Sequence, residues 1–371
     1  SFPKPPAVGK RMQEYVETVG ATVNRSSYGA AQEAGMVALR LRQRLGALFS
    51  FPDPAHVVLT PGNTWGLNML LHGALRPGDH CLVSAMEHNA VMRPLQQMSQ
   101  HGVRFERVPC DAEGCLDLRA LERMLRPDTR LVLLCHASNV SGTVQDAERA
   151  GQVCAVHGVP FALDAAQTAG AQSIDVQSLG VDVLCFTGHK ALLGPQGTGG
   201  LYVRPGVQIA PLVVGGSGVH SYDEQHPAQM PTALEAGTLN VHGLAGLCAG
   251  VQWLLTQGVE TLAAREAALA RCFYEEVCGM PGVTVYGDIE TALRAPLVSL
   301  NIGDEDSARV ADILWEDYGI CVRAGAHCAP LMHKALGTVE QGVVRFSFSH
   351  SNTMEEALHA AQAVRELAQE L

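Results

Sequence analysis

The sequence predicts an α/β protein with a mainly parallel sheet, followed by a smaller α+β unit. Three observations predict it. Apolar, β-rich runs alternate with helix-length stretches through the middle of the chain. The runs are solid apolar blocks bounded by turn residues, as strands buried on both faces of a parallel sheet require. Beyond residue 255 the pattern changes to long amphipathic helices around isolated strands. At roughly 150 residues per domain, 371 residues leave room for both units.

The runs, in order, are HVVLT (56–60), HCLVSAM (80–86), RLVLLCHA (130–137), VPFALDAAQ (159–167), VDVLCFTG (181–188) and GGLYVRP (199–205). Stretches such as LRALERMLR and DAERAGQVCAVHG between them suit the covering helices. The uncharged segment 237–259 holds five glycines with Asn240, His242, Gln252 and Gln257, so it reads as a buried or interface helix and not as a membrane span. Residues 260–279 and 354–371 are amphipathic helices, with strands at APLVSLNI and GVVRFSFS between them. The expected division is a large unit over 15–254 and a small one over 255–371, with residues 1–14 packing against the small unit. No internal repeat is present.

Composition narrows the function. The chain is 47% hydrophobic and 17% charged, which excludes a disordered chain. Its net charge is −11, with no basic stripe for nucleic acid or an anionic membrane. The 11 cysteines include no CxxC pair and no zinc spacing. Several lie in apolar runs, as buried thiols of a reducing compartment do. No metal site, no secretory signal peptide and a cytoplasmic location are the expectation.

Sheets of this kind bind ligands at the carboxyl ends of their strands, and the polar residues of interest fall there. Lys190 directly follows VDVLCFTG and precedes the glycine-rich ALLGPQGTGG. On its own it reads as a surface residue or as a functional amine; a buried lysine has a depressed pKa, which imine chemistry uses. Asp164 ends VPFALDAAQ. It could cap a helix, pair with a cation or hold a pyridinium nitrogen. The turn TPGNTWGLN (60–68) places Gly62, Asn63 and Thr64 at a helix N-terminus, where a phosphate could sit. The loop GPQGTGG reads as a tight turn. A dinucleotide site fails for want of GxGxxG after the first strand.

Taken together these pieces closely resemble the pyridoxal-phosphate enzymes of the class V aminotransferase superfamily, in the cysteine desulfurase and selenocysteine lyase branch. The resemblance runs nearly end to end through PGNTWGLN, MEHNAVMRP, HASNVSGT, DAAQTAG, FTGHKALLGPQGTGG, LEAGTLN, VRAGAHCAPLMH and VRFSFSHSNT, in that order. It implies a fold-type I enzyme, with a seven-stranded sheet in the large domain, working as a homodimer with pyridoxal 5'-phosphate. Lys190 would hold the cofactor aldehyde, Asp164 would pair with the pyridine nitrogen and Gln167 with the ring hydroxyl. His88 would stack on the ring and shuttle protons. Gly62, Asn63, Thr64, Thr187 and His189 would hold the phosphate, completed by Thr238 from the other subunit. Asn139 and Arg345, with Arg323, would hold the substrate carboxylate, for which a bidentate guanidinium is suited.

Cys328 decides the reaction that the resemblance implies. It lies in the loop-like RAGAHCAPLMH, with Arg323 and His327 close in sequence as cationic neighbours that would favour the thiolate. That thiolate would take sulfur from L-cysteine, or selenium from L-selenocysteine, release L-alanine and pass a persulfide to an acceptor. The rivals are another class V enzyme, such as a C–S lyase or an aminotransferase, and a binding protein on the same fold. Each site residue also has a bland reading: a cap or core for His88, a turn for Asn139, a structural ion pair for Arg345. Trp65 stands where a smaller or polar residue is usual, either packing or narrowing the cofactor edge.

Overall fold

The computed structural model describes residues 2–23, 27–111, 113–287 and 293–370. Its strands are β1 (Val57–Thr60), β2 (His80–Ser84), β3 (Arg104–Val108), β4 (Thr129–Cys135), β5 (Phe161–Asp164), β6 (Val183–Thr187) and β7 (Gly199–Val203) in one seven-stranded sheet of order β1-β7-β6-β5-β4-β2-β3. β3, β2, β4, β5 and β6 run parallel, and β7 pairs antiparallel with both β6 and β1. The solid apolar blocks have a direct cause: alternate residues of each strand face different cores. In β4, Val132 and Leu134 join Phe49, Phe161 and Phe186 on one face. Leu131 and Leu133 join Leu67, Leu70 and Val91 on the other.

The helices covering the sheet are α2 (Gly29–Phe49), α3 (Asn63–Ala74), α4 (Asn89–Ser99), α5 (Leu118–Met124), α6 (Ala147–Val156) and α7 (Val241–Gln257). α2 buries Ala34, Val37, Ala38, Leu41, Leu45 and Phe49, one stripe at helical spacing. It stops at Ser50, which turns left-handed at φ 58°.

The last part of the chain has its own sheet and core. Strands β8 (Val283–Tyr286), β9 (Leu297–Ile302) and β10 (Val344–Ser347) pair antiparallel in the order β10-β9-β8. Helices α8 (Val259–Val277), α9 (Ser307–Tyr318) and α11 (Met354–Glu370) pack on it, with α10 (Pro330–Leu336) alongside. Phe273, Leu300, Phe346 and Val364 are buried in this core.

The start of the chain departs from expectation. Helix α1 (Pro6–Thr18) lies along α7, and not on the smaller unit. The reason is steric. In the uncharged α7, Gly246 leaves room for α1: the Met12 side chain comes so close that a Cβ would fall 2.6 Å from its Cγ. Ahead of α1 the chain reaches the smaller unit, where Ser351 Oγ donates to the Phe2 carbonyl at 3.0 Å. Among the described residues no helix is long and apolar enough to cross a membrane.

Candidate active site

The carboxyl ends of β4, β5 and β6 open into a cavity of about 700 Å³. It is lined by Gly62, Asn63, Thr64, His88, Asn139, Asp164, Gln167, Thr187, His189, Lys190 and Arg323, eleven residues that the sequence reading singled out. Arg345, Thr238 and Cys328 lie outside this lining.

β5 carries Asp164 at its last position, buried. Its Oδ1 accepts from Asn63 Nδ2 at 2.7 Å and from the Ala166 amide at 2.9 Å. Both bonds fall on one oxygen, so Oδ2 is the one available to a ligand. Asn63 opens α3, directly after Gly62, whose backbone is extended at φ 161°. First-turn amides of a helix have no intrahelical acceptor and attract anions. Asn63 Oδ1 is buried with no partner among the described residues.

β6 delivers Thr187 and, through a turn, His189 and Lys190. Thr187 Oγ1 and His189 Nδ1 are 2.8 Å apart, and Lys4 Nζ donates to the His189 carbonyl. Lys190 is half-buried on the cavity wall. Burial pushes its ammonium pKa down and the positive Arg345 adds to that, while Asp164 opposes it. A neutral amine is the nucleophilic form. Between β2 and α4, His88 caps the helix, its Nδ1 accepting from the Ala90 amide at 3.0 Å. The neutral ring therefore carries its proton on Nε2. Burial lowers its pKa as well, opposed by Asp164 and reinforced by Lys190.

Two arginines stand at the junction with the smaller unit. Arg323 and Arg345 exchange main-chain hydrogen bonds of 3.2 and 2.8 Å. Among the described residues neither has a carboxylate partner. Arg345 Nη1 donates to the Asn139 carbonyl at 3.0 Å, and its Nε to Ser347 Oγ at 3.1 Å. Burial, with Arg323 beside it, lowers its pKa to about 10. Two guanidinium groups without a protein carboxylate have the chemistry that suits one.

Cys328 is exposed and left-handed at φ 56°, directly after His327 at φ 52°. One expectation fails here. His327 is buried, and burial together with Arg345 and Arg323 lowers its pKa to about 4. It is neutral at physiological pH and supplies no positive charge to the thiol.

Several residues escaped the sequence reading. Gln196 and Gly197, in the loop read as a tight turn, line the cavity, as do Asn68, Cys135 and Leu212. Glycine and glutamine in a turn gave no chemical signal. Trp65, 42% exposed, stands on the cavity wall near them. Glu87 is fully buried behind His88. His136, read as structural, is buried against Thr168 Oγ1 at 2.8 Å. Among the described residues no cluster of three or more His, Cys, Asp or Glu side chains could hold a metal.

A lysine amine and a buried carboxylate on one cavity, a helix N-terminus beside them and a mainly parallel sheet define a fold-type I pyridoxal-phosphate enzyme. Comparison with known proteins agrees. The family model described as Aminotransferase class-V matches residues 1–359. A probable cysteine desulfurase of Methanothermobacter thermautotrophicus is 32% identical over 372 residues, 99% of this chain and 92% of its own length. The cysteine desulfurase CsdA of Escherichia coli is 31% identical over 370 residues, 97% of this chain and 90% of that protein. An apo structure of the Thermococcus onnurineus cysteine desulfurase matches with a TM-score of 0.91 at 30% identity, covering 99% of this chain and 92% of that one. The chain belongs to the class-V aminotransferase family, on its cysteine desulfurase branch.

Proposed function

We propose that this chain is a cysteine desulfurase that converts L-cysteine to L-alanine and leaves a persulfide on Cys328. One observation carries the reading: a cavity holding Lys190 and Asp164 is joined to the Cys328 loop through Asn139, whose amide donates to the His327 carbonyl. In the bound state pyridoxal phosphate supplies an electron sink conjugated with the substrate α-carbon.

The chain's residues supply the rest. Lys190 would hold the cofactor aldehyde through its amine, and as a free amine it would take and return the α-proton. Asp164 keeps the ring nitrogen protonated, and Gln167 orients the ring hydroxyl. His88 stacks on the ring and offers its Nε2 proton to the reacting groups. Gly62, Asn63, Thr64, Thr187 and His189 hold the phosphate. Arg345 and Arg323 bind the substrate carboxylate, beside Asn139. The Cys328 thiolate forms a sulfur–sulfur bond with the substrate Sγ as the Cβ–Sγ bond breaks. The bonding pair is taken up on the carbon side and a proton completes the methyl group of alanine. The persulfide then passes to an acceptor thiol or protein. The enzyme works as a homodimer in the cytoplasm, with Thr238 of each chain reaching the phosphate site of the other. Exposed Thr238 outside its own cavity supports that arrangement.

Alanine release from L-cysteine and from L-selenocysteine, with wild type and Cys328→Ala, tests the reading. Cysteine turnover should fall at least about 100-fold in the variant, the scale of losing a reacting group, with the bound-cofactor absorbance unchanged. Undiminished turnover would mean a C–S lyase. Efficient turnover of selenocysteine alone would mean a selenocysteine lyase. No alanine from either would point to amino transfer.

A further inference from the structure

We infer that Asn139 is a positioning residue for Cys328: its amide holds the His327 carbonyl and thereby fixes the paired left-handed backbone that presents the thiol. The inference rests on the desulfurase reading for its meaning, while its geometry stands by itself.

His327 and Cys328 are consecutive and neither is glycine, yet their φ angles are 52° and 56°. Such residues avoid this region, and two in a row persist only where the surroundings hold them. Both carbonyls are held. The His327 carbonyl accepts from Asn139 Nδ2 at 2.7 Å. The Cys328 carbonyl accepts from the Asn89 amide, at the first residue of α4, at 2.8 Å. Asn139 is 7% exposed and His327 is 2% exposed, so no bulk water stands ready to replace that bond. The main chain of Asn139 is tied as well, its carbonyl accepting from Arg345 Nη1 at 3.0 Å. One residue thus spans the arginine that faces a substrate carboxylate and the loop that carries the nucleophile. Asn89 adjoins His88, so the second tie runs back to the cofactor pocket.

Two variants remove one tie each. Asn139→Asp keeps the shape, deletes the donor and adds a negative charge beside Arg345, so its alanine affinity is expected to change as well. Asn89→Pro deletes the other N–H at a helix position that tolerates proline. The preceding His88 already has φ −68° and ψ 155°, the conformation a residue before proline prefers.

The holoenzyme is exposed to iodoacetamide, and the rate at Cys328 is read by peptide mass. Exposed Cys278 and Cys321 serve as internal standards. The affinity for L-alanine, which carries the carboxylate but needs no thiol, is read from cofactor absorbance. Each variant should change the Cys328 alkylation rate at least about threefold with the standards unmoved, as release of a strained segment does. The kcat for L-cysteine should fall about tenfold or more in both variants, with KM and alanine affinity within about twofold in Asn89→Pro, which leaves the carboxylate site untouched. Alkylation at Cys328 equal to wild type in Asn139→Asp would overturn the inference, and so would a loss confined to alanine affinity and KM. Both readouts work on protein that releases no alanine from L-cysteine, so failure of the desulfurase reading stays distinguishable from failure of this one.

Discussion

Glu87 is the residue whose chemistry is least expected from its place. Its Oε1 accepts from the Ser84 amide at 3.2 Å, the Ser84 hydroxyl and the Cys135 amide at 2.8 Å, tying the ends of β2 and β4. Its Oε2 is buried without a partner among the described residues. Burial pushes the carboxyl up to about 8, with Asp164 adding to the shift. The folded chain therefore holds a proton that the unfolded chain releases above about 4.5. Stability falls as pH rises across that window, at about 1.4 kcal/mol per pH unit for this one group. Glu87→Gln keeps the accepting oxygen and removes the titration. The drop in unfolding free energy between pH 5.5 and 7.5, followed by urea melts, should be smaller in Glu87→Gln than in wild type. An unchanged pH dependence would show that Glu87 is ionised in the folded protein. The sequence offered no route to this. It displayed an acid beside His88, but which carbonyl or amide a side chain meets depends on chain segments far apart, 48 residues for Glu87 and Cys135 and 188 for Asn139 and His327.

Among the elements of the large sheet, the strands that face two cores were legible, and the edge strand was lost. β3 reads RFERV, an edge strand with two exposed residues, so it shows no apolar block. β7 does show a block, but its reversed direction was missed. The link from Thr187 to Gly199 holds no helix, and a parallel crossover needs a dozen or more residues, usually helical. The antiparallel return brings β7 against the phosphate cradle. A Cβ on Gly199 would fall 2.7 Å from Gly62 Cα and 2.8 Å from the Phe186 carbonyl oxygen. Both neighbours are backbone and cannot rotate away. Gly199→Ala should destabilise the protein by about 1–3 kcal/mol. It should also weaken cofactor retention, because the displaced atom belongs to Gly62. Dialysis against phosphate, followed by cofactor absorbance, checks this. Normal retention with lowered stability would confine the role of Gly199 to packing.

At the scale of the molecule, the site gathers polar residues from the ends of distant strands and from the loops before β10, while parts of the segment between β7 and α7 stand exposed. That segment carries exposed Val213, Val214 and Tyr222, and then Thr238. Exposed apolar side chains near a polar residue with no local task suit an interface between subunits. A symmetric dimer would carry each Thr238 to the other chain's phosphate. Two damaged chains then become complementary. Lys190→Ala abolishes its own pocket but supplies an intact Thr238. Thr238→Asp places a negative charge against the partner's bound phosphate but keeps its own Lys190. Each variant alone should be nearly inactive. Chains co-expressed in equal amounts under two affinity tags should recover about a quarter of wild-type activity per chain, because half the dimers are mixed and each holds one intact site. The recovered activity should travel with the doubly tagged species. If Thr238 served its own chain, every pocket in the mixture would carry a lesion and nothing would recover. A monomer would give the same silence, and sedimentation would separate the two.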